Sequence, residues 1–307
     1  MSRTAISQIA CNNTAGAAEI LLRAARAYSL LVEERRNSEC SSAGHAMERV
    51  VAVSIALIKA QPNMAPIARL ASAVLEAASG CASVNEMLDR AEQAAQTFAE
   101  NAVLAGEAAA AHAADLIPDG ARVLTHSRSS TVLSAFKLAL KAGKRLSVIV
   151  TESRPLLEGR TLAIELSRDG ASVALIADAA AGLAVQQAEL VLLGADRVSA
   201  SGVVNKIGSR LIALAAREYR KPIHVVCDTF KFVGSEEFRG DLRQDSSELW
   251  SNAPDDIEVL NSYFEATPLS LFTSVITEHG AAKAEEAALL AERFVLNLRL
   301  VERLASR

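Results

Sequence analysis

Beyond residue 118 the chain repeats a single pattern, a short β-branched apolar run followed by a segment with helical spacing. The runs are "ARVLTH", "RLSVIV", "SVALIA", "ELVLLG", "PIHVVC", "DIEVL" and "FTSVIT". Strands that stay apolar at nearly every position are covered on both faces, and alternation with helices makes their pairing parallel. The fold class expected is therefore α/β, a doubly wound and mostly parallel sheet. Ahead of it, from Gly16 to Ile117, apolar residues recur at three and four, as in Ile20, Leu21, Ala25 and in Met87, Ala91, Ala94, Ala95, Phe98. Breaks fall at "NSECSSAG" and "KAQPNMAP", and "IPDG" supplies a turn before the first strand run. We expect four or five helices there, the last from about Val84 to Leu116, and two domains, 1–118 helical and 119–307 α/β. The tail "AKAEEAALLAERFVLNLRLVERLASR" reads as one long amphipathic helix whose Leu and Val stripe docks on this chain or a partner.

Charge and cysteine usage narrow the function. The net charge of −4 gives no basic footprint, so no nucleic-acid partner is expected. The longest apolar run, Val50 to Ile58, ends at Lys59 and is too short to span a bilayer, so no membrane is expected either. The opening stretch lacks the long apolar core of a secretion signal. Cys11, Cys40, Cys81 and Cys227 are scattered without a C-x-x-C, which suggests neither zinc nor a disulfide framework. A cytoplasmic protein without metal or cofactor is the expectation.

The residues just past each strand run carry the chemistry. After "ARVLT" come His126, Ser127, Arg128, Ser129 and Ser130, and after "LSVIV" come Thr151, Glu152, Ser153 and Arg154. Asp178, Asp196 and Asp228 close three further runs, and Glu278 with His279 closes the last. Open α/β sheets bind ligands beyond the carboxyl ends of their strands. One such residue is ordinary turn or helix-cap chemistry, which suffices for Asp178 and Ser153. Six strands in succession point to a site. "HSRSST" places backbone N–H groups and hydroxyls at a positive helix end, a ready anion site, and Lys206 and Lys231 each bring a charge to the same edge. Neither G-x-x-x-x-G-K-[ST] nor G-x-G-x-x-G occurs.

The ordered motifs "THSRSSTVL", "VIVTESRPLLEGR", "IADAAAG", "GADRV…NKIG", "CDTFKF" and "TPLSLFTSVITEHG" resemble the family that joins methylthioribose-1-phosphate isomerase, ribose-1,5-bisphosphate isomerase and the regulatory subunits of eukaryotic initiation factor 2B. The resemblance is dense from about 120 to 280 and looser through "TAGAAE" and "AQPNMAP". It implies a helical N-terminal domain, a Rossmann-like C-terminal domain, a homodimer built through the latter, and a sugar-phosphate site between the halves. It further implies that Asp196 is a catalytic acid/base and that Asn205 and Lys206 contact substrate, with Gly16, Ala17, His126, Arg128, Ser129 and Lys231 completing the binding set. A carboxyl desolvated at the end of a buried strand suits an aldose–ketose conversion, because a raised pKa lets it shuttle protons near neutrality.

Three positions depart from that pattern. Ser127 stands where the isomerases carry a catalytic cysteine. A thiol of reference pKa about 8.5 exchanges protons far more readily than a hydroxyl, which needs a partner base. Ala15 and Gln61 stand where arginines are usual, removing two charge-assisted phosphate clamps. Two readings result: an isomerase using Asp196 with Ser127 or His126, and a non-catalytic subunit that senses a sugar phosphate or nucleotide.

Overall fold

The computed structural model describes residues 2–11, 16–36, 42–234 and 244–305. The first part is helical: α1 (Ser2–Ala10), α2 (Ala17–Arg36), α3 (Ala43–Ala60), α4 (Ala65–Ala78) and α5 (Val84–Leu116). Ser83 starts α5 by accepting from the Glu86 N–H at 3.2 Å, while the Glu86 carboxylate accepts from the Ala82 N–H at 3.0 Å. The reciprocal bonds satisfy donors that a helix start leaves open. Along α5 one face is a stripe of buried alanines. Ala91, Ala95, Ala99 and Ala102 belong to the core of the helical part, whereas Ala110, Ala113 and Ala114 belong to the core under the sheet.

After α5 come β1 (Arg122–Thr125), α6 (Ser130–Lys141), β2 (Ser147–Thr151), α7 (Glu158–Arg168), β3 (Ser172–Ile176), α8 (Ala181–Gln187) and β4 (Leu190–Leu193). They are followed by β5 (Arg197–Ser199), β6 (Gly202–Lys206), α9 (Ser209–Glu218), β7 (Ile223–Val226), β8 (Phe264–Thr267), β9 (Ser274–Thr277), β10 (Gly280–Ala282), α10 (Ala284–Glu292) and α11 (Leu298–Ala305). The main sheet has the order β10-β9-β7-β4-β1-β2-β3 and is parallel except for β10. Chain order runs outward from β1 through β2 to β3, then returns to place β4 on the other side of β1, with Leu124 opposite Val191. This reversal between β1 and β4 opens a crevice at the carboxyl ends of the strands. Helices on both faces bury two apolar layers, one around Val148, Val150 and Phe136 and the other around Val191, Leu193 and Val225.

Three expectations from sequence need correcting or extending. "DIEVL" is not a strand: Ile257 and Leu260 are exposed and the segment is turn and loop. A second, antiparallel sheet of order β5-β6-β8 branches off after Asp196. The tail is two short helices, because Asn297 interrupts it. Its side chain accepts from the Arg299 N–H at 3.1 Å and its carbonyl from the Leu300 N–H at 2.9 Å, the local bonding that makes Asn a helix starter. The break frees the Phe294 carbonyl to accept from Gly234 at 2.9 Å, and the Phe294 ring lies 3.8 Å from the Arg69 guanidinium. Beyond it, α11 docks on this chain: Leu300 is buried in the helical core and Arg303 reaches Glu48 at 2.9 Å.

Gly159 opens α7 where it crosses the end of β2. A Cβ there falls 1.8 Å from the Thr151 carbonyl oxygen, a backbone atom that cannot step aside. Gly182, inside α8, has nothing within 4 Å of its Cβ position. We expect Gly159→Ala to cost about 3 kcal/mol or more, at or above the usual overpacking range, and Gly182→Ala to gain roughly 0.5–1 kcal/mol from helix propensity. Urea unfolding midpoints of the two variants check both signs.

Candidate functional site

The site lies where the β1 and β4 strands part. The loop after β1 carries His126 to Ser129, and Gly194 to Asp196 leave β4. Gly194 is needed there, since a Cβ falls 2.5 Å from the Ser129 Cβ. The Asp196 N–H donates to the Val204 carbonyl at 2.9 Å, while its own carbonyl accepts from the Ala65 N–H at 3.2 Å. Arg197 reaches the Pro62 carbonyl at 2.9 Å. The carboxylate-bearing turn is thus bolted to the start of α4, and the helical part forms one wall of the crevice.

Desolvation dominates at Asp196 and pushes its carboxyl pKa up to about 6, against the lowering pull of Lys231 and Lys206 and with Glu158 adding to the rise. Lys206 is buried and donates to Glu158 Oε1 at 2.7 Å, with the Tyr263 ring 5.2 Å from its Nζ. Glu158 Oε2 is buried and, among the described residues, has no hydrogen-bond partner. Asn205 is also buried and donates to the Ser209 hydroxyl at 3.0 Å, which donates on to the Lys206 carbonyl at 2.7 Å.

The residues after β1 divide between structural bonding and the crevice. His126 is buried, and burial lowers its pKa, so the ring is neutral. Nε2–H donates to the Ile207 carbonyl at 2.7 Å and Nδ1 accepts from the Thr151 hydroxyl at 2.6 Å. Both nitrogens are engaged within the protein. Ser127 has a left-handed backbone, φ 63°, and its N–H donates to Ser153 Oγ at 2.8 Å. Arg128 turns away to α7 in a two-pronged pair with Glu165, at 2.9 and 2.8 Å. Ser129 caps α6 by accepting from the Val132 N–H at 3.3 Å.

The remaining residues border a cleft lined by Ala17, Ser130, Thr131, Ser134, Asp228 and Lys231 among others. Gly16 sits beside it, its Cβ position 4.0 Å from Ser130 Oγ. Lys231 is 6% exposed, and among the described residues its Nζ has no hydrogen-bond or ion-pair partner. The short helical turn Thr229–Lys231 brings it there, and Asp228, 6% exposed, precedes that turn. Burial raises the Asp228 pKa, with Lys231 opposing the shift. Burial likewise pushes the Cys227 thiol up, which keeps it protonated and unreactive.

Other strand-end loops hold carboxylates of their own. Asp178 accepts from the Ser153 and Arg154 N–H groups at 2.7 Å each, Glu265 from Gly208 and Arg210 at 2.7 and 2.9 Å, and Glu278 from Thr229 at 2.9 Å. An acid that already fills a nest of N–H groups excludes a phosphate from it. Among the described residues no carboxylate plugs the start of α6, where only the Ser129 hydroxyl accepts, and the unpaired Lys231 faces the same cleft.

The binding set implied by the resemblance omits Thr131 and Asp228, which line the cleft, and Glu158 and Tyr263, which contact Lys206. Asp228 obeys the strand-end rule, and Glu158 reads as an ordinary acid at a helix start. Nothing marks Tyr263, which arrives from across the chain. Gln61 donates to the Ile9 carbonyl at 2.9 Å, tying its loop to α1. Ala15 lies outside the described residues.

The model of the initiation factor 2 subunit family matches residues 13–284. A protein from Pelotomaculum thermopropionicum named methylthioribose-1-phosphate isomerase is 38% identical over 213 residues, 62% of this chain and 58% of that one. A ribose 1,5-bisphosphate isomerase from Archaeoglobus fulgidus is 40% identical over 181 residues, 56% of each chain. The matched part thus spans under two thirds of these relatives' length. The crystal structure of the Pyrococcus horikoshii translation initiation factor eIF-2B superposes with a TM-score of 0.80 at 29% identity, over 92% of this chain and 96% of that one. With a family model matched over most of its length and a shared architecture, the chain belongs to the initiation factor 2 subunit family.

Proposed function

We propose that this protein is an aldose–ketose isomerase acting on a pentose phosphate, in the cytoplasm and as a homodimer, with residues 1–118 and 119–307 as its two domains. The observation that carries the reading is a carboxyl raised to about 6 by burial beside two lysines, Asp196 with Lys231 and Lys206. Relatives named as sugar-phosphate isomerases support the same class of chemistry. The phosphate rests against the start of α6 and Lys231, where N–H groups and a cation coincide.

A group with a pKa near 6 is present in both forms around neutrality. Protonated Asp196 gives its proton to the ring oxygen as the ring C1–O bond breaks. The carboxylate then accepts the proton from C2, and protonation at C1 with loss of the C2 hydroxyl proton yields the ketone. Lys206 and Lys231 favour the oxygen charge that develops between these steps.

A second reading, a non-catalytic subunit that senses a sugar phosphate or nucleotide, is favoured by Ser127. Among the described residues no base contacts its hydroxyl. Proton exchange from deuterated water into a panel of pentose 1-phosphates separates the readings. For an isomerase, Asp196→Asn lowers exchange by about 10²-fold or more, and the wild-type rate falls as pH rises through about 6, because the protonated carboxyl opens the ring. Binding without exchange by the wild type favours the sensor.

Stability titrates with the same group. The folded pKa of Asp196 lies above its ordinary 3.8, so the native state binds more protons between about pH 4 and 6 and loses stability as pH rises through that window. The ionised carboxyl then costs up to about 3 kcal/mol at neutral pH. Asp196→Asn is expected to melt higher than wild type at pH 7.5, the difference closing toward pH 4. A lower melting temperature at pH 7.5 contradicts the proposed burial cost.

The dimer has a surface to use in the outer strand β3, where Ala174 and Leu175 are exposed. Light scattering at micromolar concentration is expected to give twice the chain mass, and a monomer rejects this part of the reading.

A further inference from the structure

The cleft that holds Lys231 also holds a carboxylate. Asp228 and Lys231 are three residues apart on one tight turn, with the Lys231 N–H donating to the Asp228 carbonyl at 3.2 Å. Both side chains line the same cleft, and both residues are 94% buried, being 6% exposed. Across from them, a Cβ built on Gly106 lies 3.9 Å from Asp228 Oδ2 and 3.9 Å from Thr131 Oγ1. With no side chain at Gly106, both oxygens border open space. Glu278, which would add further negative charge, is committed to the Thr229 N–H and hydroxyl. Among the described residues no side chain donates to the Asp228 carboxylate, whose own N–H and that of Phe230 are its donors within the turn, which leaves its remaining lone pairs to the cleft.

A buried carboxylate beside an anion site is repulsive unless something donates to it. Inorganic phosphate seated on Lys231 and the α6 start offers Asp228 only more negative charge. A phosphate ester with a hydroxyl on the neighbouring carbon offers it a donor, because both side chains line one cleft and the carboxylate lies beside the cation that takes the phosphate. Resting on the anion site of the proposed function, we infer that Asp228 is the specificity-determining residue of this cleft. It selects phosphate esters that carry a hydroxyl next to the phosphate-bearing carbon and rejects phosphates that lack one.

The test is calorimetric titration of the full chain at pH 7.5 with three probes: ribose 1-phosphate, 2-deoxyribose 1-phosphate and inorganic phosphate. Wild type is expected to bind the ribose ester about tenfold or more tightly than the deoxy ester, the size of a hydrogen bond to a charged group. Asp228→Asn keeps the shape but removes the charge. It is expected to narrow that ratio at least about threefold while inorganic phosphate binds more tightly, since a like charge has gone. Parallel weakening of all three probes means that Asp228 only braces its turn, and an unchanged ratio means that it reads no hydroxyl; either result overturns the inference. If the variant does not fold, the wild-type ratio still decides, because equal affinity for the two esters overturns it. Phosphate binding without hydroxyl discrimination counts against Asp228 alone. Failure of wild type to bind any of the three removes the anion site and this inference together.

Discussion

One helix makes the rest of the structure possible. The 33 residues of α5 run from the core of the helical part into the core beneath the sheet, and its inward face is alanine almost throughout. Alanine loses no side-chain entropy in a helix and lets neighbouring backbones approach closely. A bulkier face would hold α4, α6 and the sheet apart, and the crevice between the halves would widen. The main-chain bond from Ala65 to Asp196 and the reach of Arg197 to Pro62 then fix the two walls in register. The position of Asp196 is therefore set by helices more than 100 residues earlier in the chain as well as by the strand that delivers it.

The distribution of acids over the sheet edge makes one region different from the rest. A doubly wound sheet has several helix and turn starts at the same edge, each with unsatisfied N–H groups. Here Asp178, Glu265 and Glu278 fill three of them from within the protein. Arg128 is likewise spent on Glu165, and Lys206 on Glu158. What is left over among the described residues is Lys231 beside the start of α6, where only the Ser129 hydroxyl accepts. The exclusions identify this region as strongly as the attractive groups do.

Alternation of apolar runs with helical spacing makes the main sheet readable, because each of those strands is covered on both faces and carries its own periodic signal. The second sheet has none. Strand β5 has three residues, and β6 pairs with β8 only after the chain has travelled from Lys206 to Phe264. "DIEVL" misleads because composition does not reveal whether an apolar run finds a neighbouring strand. At the site, the rule of polar residues at strand ends brings out Asp196, Ser127 and Lys231. It cannot tell which of them are already bonded: the partners of His126, Arg128 and Lys206 come from 25 to 81 residues away. Pairing across such separations is a property of the folded chain and leaves no local mark.

The burial of Lys231 has a further consequence. Bulk ions screen exposed charges within about 8–10 Å at physiological salt, but they reach a buried charge poorly. A cleft whose cation sits behind protein keeps its attraction for an anion when ionic strength changes, whereas a surface patch of lysines does not. It also holds that attraction over a short range, without drawing polyanions from a distance. A protein with a net negative charge and a sheltered, unpaired lysine in its cleft would thereby be suited to recognising a small phosphorylated molecule in a solution crowded with salt and polyanions.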